Sequence, residues 1–291
     1  MARRPAHRLL SDFDAYERRL WAGRADAYGR GFALLTAYTA EPLLDAVAAG
    51  PGTALLDVGT GPGTVAVAAL RRGAAVTAVD ADPGMAGAAA RAAPSLDVRV
   101  AALPRLPFPD AAFDAVTGNF VINHVGDPPA AMAELHRVLR PGGRLALTCW
   151  RLPPTGGLAV TREAIDRAGV AWPDDVPPPV FTPHGEPAAF AALLAAAGFA
   201  GPAVTELDWA HHTDPEHWWE NVSAAGVGAA GVVISRQDPA ATGRIRREYD
   251  RLMAAYATDP GRVALPMHAL LAAGGRYSRA DEGGGPVASG L

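Results

Sequence analysis

The chain has 291 residues, 49% apolar and 19% charged, which leaves room for one large α/β domain or a domain with a smaller cap and excludes a disordered chain. Its net charge is −4, every basic side chain other than histidine is arginine, and no basic stripe stands out, which argues against a nucleic-acid partner. A single cysteine, Cys149, rules out a disulfide framework and a cysteine-rich metal site, and fits a reducing cytoplasm.

Arg3 and Arg4 are not followed by an apolar core and a cleavage site, so no signal peptide is expected. No run of about 18 apolar residues occurs, so no membrane span is expected either. Residues 11–38 are expected to form a helix. Ser11 and Asp14 would cap it, and Phe13, Tyr16, Leu20, Trp21, Tyr28, Phe32 and Leu35 recur at helical spacing. A second helix is expected from Glu41 to Ala49, stopped by Gly50. Strands and helices then alternate. Strands are expected at Ala54–Val58, Ala75–Val79, Val98–Ala101, Phe113–Gly118 and Arg144–Trp150, with helices at Thr64–Leu70, Pro83–Ala92 and Ala130–Leu139 between them. Such alternation with short turns implies a parallel, doubly wound sheet. Further on, helices are expected at Val160–Arg167, Glu186–Ala197, Pro215–Val227 and Pro239–Tyr256, and strands at Val204–Trp209 and within Val263–Ala273. Residues 279–291 are Gly-rich and are expected to fray.

The stretch Leu55-Leu56-Asp57-Val58-Gly59-Thr60-Gly61-Pro62-Gly63 ends the first strand and opens a helix. Alternating glycines let a backbone pass close to a ligand, and ligands of open α/β sheets bind at the carboxyl ends of the strands. A dinucleotide site wants G-x-G-x-x-G; here position 64 is Thr, and Asp57 stands two residues before the first glycine. A carboxylate there would repel a pyrophosphate but can hold an ammonium group, as on the methionine end of S-adenosylmethionine. Asp80 ends the second strand, where a carboxylate accepts from both ribose hydroxyls, a feature shared with NAD enzymes.

Together these segments resemble the class I S-adenosylmethionine-dependent methyltransferases, in particular the small-molecule group called type 11 or UbiE-like. Leu106-Pro107-Phe108-Pro109-Asp110, Phe113–Val116, Asn119–Val125 and Glu134–Leu145 extend the likeness, which is specific over residues 50–150. The resemblance implies an α/β fold with a doubly wound, seven-stranded, mostly parallel sheet. A helical cap from the N-terminus and from insertions in the C-terminal half would cover it. The expected organisation is an N-terminal cap (1–40), a cofactor-binding core (41–150), the rest of the sheet with substrate-cap helices (151–278) and a disordered tail (279–291).

Carried onto matching positions, the resemblance gives Asp57 and Gly59 to the methionine ammonium and Gly61 and Gly63 to passage of the loop, with Thr60 between them. Asp80 takes the ribose, Ala81 and Met85 flank the adenine, and Asn119 offers backbone to the methionine end. The group has an acidic residue where this chain has Ala102; Leu103 N–H can still meet the ring, at the cost of one hydrogen bond. Trp21, Arg24 and Tyr28 share a helix face, and Arg24 reads either as partner of the methionine carboxylate or as a surface arginine. His124 reads as a base near the transferred methyl, as packing beneath the adenine, or as a turn cap. Trp209, His217, Trp218 and Trp219 read either as acceptor-pocket lining, with Tyr28, or as core. Paired histidines without matching carboxylates or cysteines do not read as a metal site.

The expected function is methyl transfer from S-adenosylmethionine, leaving S-adenosylhomocysteine, to nitrogen, carbon or oxygen of a small aromatic or apolar acceptor, in a cytoplasmic monomer or homodimer. The Ala-, Gly-, Pro- and Arg-rich composition suits a GC-rich bacterial genome, and the cap's tryptophans suit secondary metabolism. The alternatives are a fold relative that binds this cofactor without methylating, as a cyclase or binding protein, and an NAD-dependent oxidoreductase, against which the missing third glycine counts.

Overall fold

The computed structural model describes residues 6–278, with side chains from Asp12 onward; the tail expected at 279–291 lies outside them. The backbone threads seven strands: β1 Ala54–Val58, β2 Ala75–Asp80, β3 Asp97–Val100, β4 Phe113–Asn119, β5 Leu139–Trp150, β6 Ala200–Thr213 and β7 Val263–Gly275. Their order in the sheet is β3-β2-β1-β4-β5-β7-β6. β1 to β5 pair in parallel, whereas β7 runs antiparallel between β5 and β6. The strand order reverses beside β1, so the tips of β1 and β4 border the crevice where ligands of open sheets bind.

The helices are α1 Ala6–Trp21, α2 Ala25–Arg30, α3 Phe32–Thr36, α4 Ala40–Ala46, α5 Thr64–Arg71, α6 Pro83–Ala92, α7 Pro128–Val138, α8 Gly157–Arg167, α9 Pro187–Ala196, α10 Pro215–Trp218, α11 Gly228–Ser235 and α12 Pro239–Ala254. Four of them start at Asp-Pro. The carboxylates of Asp82, Asp127, Asp214 and Asp238 accept from first-turn N–H groups, and the proline after each has no N–H to leave unpaired.

Successive residues of β1 feed opposite layers. Leu56 and Val58 pack with Phe113, Met132, Leu135, Phe181 and Phe190 on one face, while Leu55 packs with Leu43, Leu44, Val65 and Ala66 on the other. β6 and β7 run on past the end of β5 as a two-stranded antiparallel ribbon. Val263, Leu265 and Met267 on this extension join Leu35, Ile165, Trp218, Trp219, Ile245 and Tyr249 in a third core, which fixes the helical cap to the sheet.

Three expectations need correction. The helix over residues 11–38 is three pieces, because Gly23 takes a left-handed φ of +73° and Gly31 leaves helical geometry at φ −113°, ψ −92°. Its start lies at Ala6, so Ser11 sits inside α1 instead of capping it. The helix over 215–227 shortens to α10 and a wide π turn, Trp219–Ser223, and α11 follows where no helix was expected. Gly226 and Gly228, at φ +70° and +71°, break the run.

Gly63 closes the loop after β1 at φ +91°, and a Cβ built there would meet Ala89 Cα of α6 at 3.2 Å. Its role is close packing of the loop on α6. Gly63→Val should therefore destabilise the protein by about 2–4 kcal/mol in denaturant unfolding, from left-handed strain plus overpacking against backbone.

Candidate functional site

A cavity of about 590 Å³ opens over the tips of β1, β2 and β4. Of the residues singled out by sequence, Gly59, Gly61, Asp80, Ala81, Met85, Ala102, Leu103, Asn119, Trp21, Tyr28 and His124 line it. Asp57, Thr60, Gly63 and Arg24 do not.

Asp57 stands directly behind the loop, 1% exposed, with its two oxygens taken by the hydroxyls of Thr60 (2.7 Å) and Thr117 (2.8 Å). Asp57 and Thr60 thus hold the loop's shape and place a negative charge beneath it. Burial raises the Asp57 carboxyl from 3.8 to about 6, and nearby Asp80 adds to the rise. Asp80 faces the cavity. Its oxygens accept from Gly61 N–H at 2.8 Å and Asp82 N–H at 2.9 Å, which leaves each oxygen a further lone pair, and burial raises its pKa as well. The two carboxylates make the floor of the cavity acidic. A Cβ on Gly61 would come 3.6 Å from the Tyr28 ring, and one on Gly59 would collide with Val121 at 2.4 Å, so only glycine keeps this floor open.

Asn119 commits three side-chain hydrogen bonds to structure. Oδ1 accepts from Thr39 at 2.7 Å and Thr148 at 2.6 Å, and Nδ2 donates to the Thr36 carbonyl at 3.0 Å. Its second Nδ2 hydrogen and the backbone remain for a ligand. The next residue, Phe120, adopts φ +54° without being glycine, a strained conformation that such sites retain. Thr148 holds it there by accepting from its N–H at 3.0 Å, and its ring stacks on Trp150 at 4.0 Å. Phe120 and Trp150 line the cavity with Phe32, Thr36, Leu152, Pro154 and Leu158, none singled out by sequence. The hydrophobic pattern marked some as core, but only packing aims them at the cavity.

The N-terminal helix α1 closes one side. Gly126 N–H donates to Asp14 at 2.8 Å, Trp21 Nε1–H donates to Glu17 at 3.1 Å, and His124 Nδ1 meets the same Glu17 oxygen at 2.8 Å. Trp21 stands edge-on to His124 at 5.0 Å and to Tyr28 at 5.4 Å. Arg24 turns away, donating to the carbonyls of Leu20 and Ala225, both at 2.6 Å, and so ties the end of α1 to the turn before α11.

The remaining substrate expectations also move back by one layer. Trp209 lies behind Trp150 at 6.0 Å and Trp218 lies behind Phe32 at 5.9 Å; Trp218 and Trp219 are buried in the cap core. His217 binds the Arg30 carbonyl at 2.8 Å and accepts from Asn221, fastening α10 to α2. These rings back the cavity wall, because α10 and the π turn face the cap core and not the sheet tips. Among the described residues, no three His, Cys, Asp or Glu side chains gather as they would around a metal ion, and no helix is long and apolar enough to cross a membrane.

Residues 56–147, the stretch that builds this floor, match the family model described as a methyltransferase domain. Demethylmenaquinone methyltransferase of Mycobacterium tuberculosis is 44% identical over 85 residues, 28% of this chain and 35% of that relative. The matching stretch therefore spans about a third of that relative's length. Among solved structures, YcgJ protein from Bacillus subtilis aligns with a TM-score of 0.52 and 19% identity, over 83% of this chain and 99% of its own. The [4+2]-cyclase SpnF aligns with a TM-score of 0.51 and 21% identity, over 83% of this chain and 82% of its own. Both likenesses concern the fold. The chain thus carries a stretch, residues 56–147, that matches a methyltransferase domain, set in a seven-stranded, mostly parallel sheet.

The buried Asp57 makes a testable demand. Its pKa is higher in the folded chain than the ordinary value, so its contribution favours folding below about pH 4 and is withdrawn as pH rises through 6. Asp57→Asn lacks that titration. The melting temperature of the ligand-free variant, relative to the parent, should therefore climb between pH 4 and pH 7; a flat difference would show that Asp57 is not perturbed.

Proposed function

We propose that the cavity binds S-adenosylmethionine and that the protein transfers its methyl group to a small aromatic or apolar acceptor. The observation that carries this reading is the acidic, glycine-floored cleft at the strand tips, with Asp80 free to accept and Asp57 charged behind the loop. A nucleoside needs the first. A ligand whose charged end is an ammonium, beside a sulfonium, is favoured by the second.

In this reading Asp80 holds the ribose hydroxyls, and Ala81, Met85, Ala102 and Leu103 enclose the adenine. Backbone at Gly59, Gly61 and Asn119 meets the methionine end. When bound, the cofactor supplies an electrophilic methyl on sulfur, so the protein needs no covalent nucleophile. Its own residues align the acceptor and exclude water. Tyr28, Phe32, Phe120, Trp150 and Leu158 form the wall against which the acceptor lies, with Trp209 and Trp218 stiffening it from behind. A flat ring suits this wall, and the demethylmenaquinone methyltransferases among the relatives support a quinone-like size. The composition and the cap support a role in bacterial secondary metabolism, in the cytoplasm. SpnF shares the fold, so the fold alone does not choose the chemistry; the acidic floor bears on cofactor binding, and the matched domain favours methyl transfer.

Calorimetry with S-adenosylhomocysteine tests the site. The parent should bind it and ignore NAD. Asp80→Ala removes two charge-assisted hydrogen bonds of about 1.5 kcal/mol each, and should weaken binding about a hundredfold. Ala102→Asp restores an acceptor for the adenine amino group and should tighten binding by about fivefold, or roughly 1 kcal/mol. No heat from the folded parent would sink the reading.

A further inference from the structure

Glu17 is a buried carboxylate, 9% exposed, whose hydrogen bonds come from Trp21 Nε1 and His124 Nδ1. A carboxylate can only accept, so His124 carries a proton on Nδ1. That leaves Nε2 without a proton, and its lone pair accepts from the Asn123 amide at 2.9 Å. The other atom of the same amide, Asn123 Oδ1, is buried without a partner. Half a turn of the amide exchanges the two atoms. One side chain thus serves a bare Nε2, as found, or a protonated one, and in the second case Oδ1 gains the donor it lacks. Glu17, Asn123 and His124 all line the cavity with the aromatic wall.

We propose that His124 is the proton acceptor of the reaction, that Glu17 is its positioning residue, and that the acceptor is an aromatic hydroxyl compound. This rests on the methyl-transfer reading of the same cavity. The acceptor's hydroxyl takes the place of the Asn123 amide at Nε2, and its O–H proton passes to Nε2 as the oxygen lone pair takes the methyl carbon. The carbon–sulfur bond breaks with its electrons left on sulfur, which becomes a neutral thioether. The Glu17 carboxylate holds the imidazolium at Nδ1, and once the product leaves, the turned Asn123 amide offers Oδ1 to Nε2–H until the proton returns to solvent. Glu17 lies on α1 and His124 on the segment after β4, so the base is set only when the N-terminal helix is docked. A buried carboxylate held only by neutral donors is costly, and the positive charge gained by His124 during the reaction relieves that cost.

The test uses the full chain labelled with ¹⁵N in the histidine rings and free of ligand. His124 should be the Nδ1–H tautomer in the parent, and should lose that preference in Glu17→Gln. An Nε2–H tautomer in the parent, or no change in Glu17→Gln, overturns the pairing. With S-adenosylmethionine and 2-naphthol as acceptor probe, His124→Gln and Glu17→Gln should each lower kcat about a hundredfold. Glu17→Asp should recover part of the loss, and S-adenosylhomocysteine affinity should stay within about threefold. No transfer to 2-naphthol, or equal transfer to 2-methoxynaphthalene, overturns the hydroxyl assignment. Loss of S-adenosylhomocysteine binding in the parent would instead sink the cofactor reading, so the two failures are distinguishable.

Discussion

A carboxylate kept out of water under a glycine loop sets the terms for this site. Asp57 is charged at neutral pH only against the cost of burial, and two threonine hydroxyls from different elements offset part of that cost. Thr60 comes from the loop and Thr117 from β4, so the same bonds that keep Asp57 ionised also fix the loop against the neighbouring strand. The remaining deficit is a negative potential facing the cavity. A cationic ligand meets that deficit, which makes binding and loop order parts of one electrostatic arrangement.

The second constraint is the reach of α1 across the cavity mouth. Asp14 and Glu17 bind the segment after β4, and Tyr16 and Leu20 pack with Val232 of α11. The cap is thus built from both ends of the chain, joined through the third core and through Arg24, His217 and Asn221. Residues that looked like ligand groups by type turn out to be the stitching of this cap. The distinction matters for the aromatic wall. Phe32 and Trp150 touch the cavity, while Trp218 and Trp209 hold them in place, so specificity should depend on both layers through rigidity as well as contact.

The chain's local pattern determined a good deal. The β1 loop with Asp57 and the glycines, Asp80 at the end of β2, and the alternation of short apolar runs and helices are local features with local physical causes. They were legible because a strand buried on both faces must read as an apolar run, and a backbone that passes under a ligand must read as glycine. The Asp-Pro starts belong to the same class. What the linear pattern did not contain is direction. Trp21, Arg24 and Tyr28 share a helix face by spacing, yet Gly23 breaks the helix between Trp21 and Arg24, and Arg24 points to Ala225 while the two aromatic rings line the cavity. Glu17 is an ordinary surface-type residue in sequence and becomes a buried partner of His124 only because α1 docks 107 residues away from it along the chain. Phe120 reads as part of the family-like segment and Trp150 as the end of a strand; they become wall because the strained turn after β4 sets one ring against the other. Local sequence settles which backbone each segment adopts; only tertiary packing decides which side chains share a cavity, since that depends on contacts between segments whose separation along the chain carries no periodic mark.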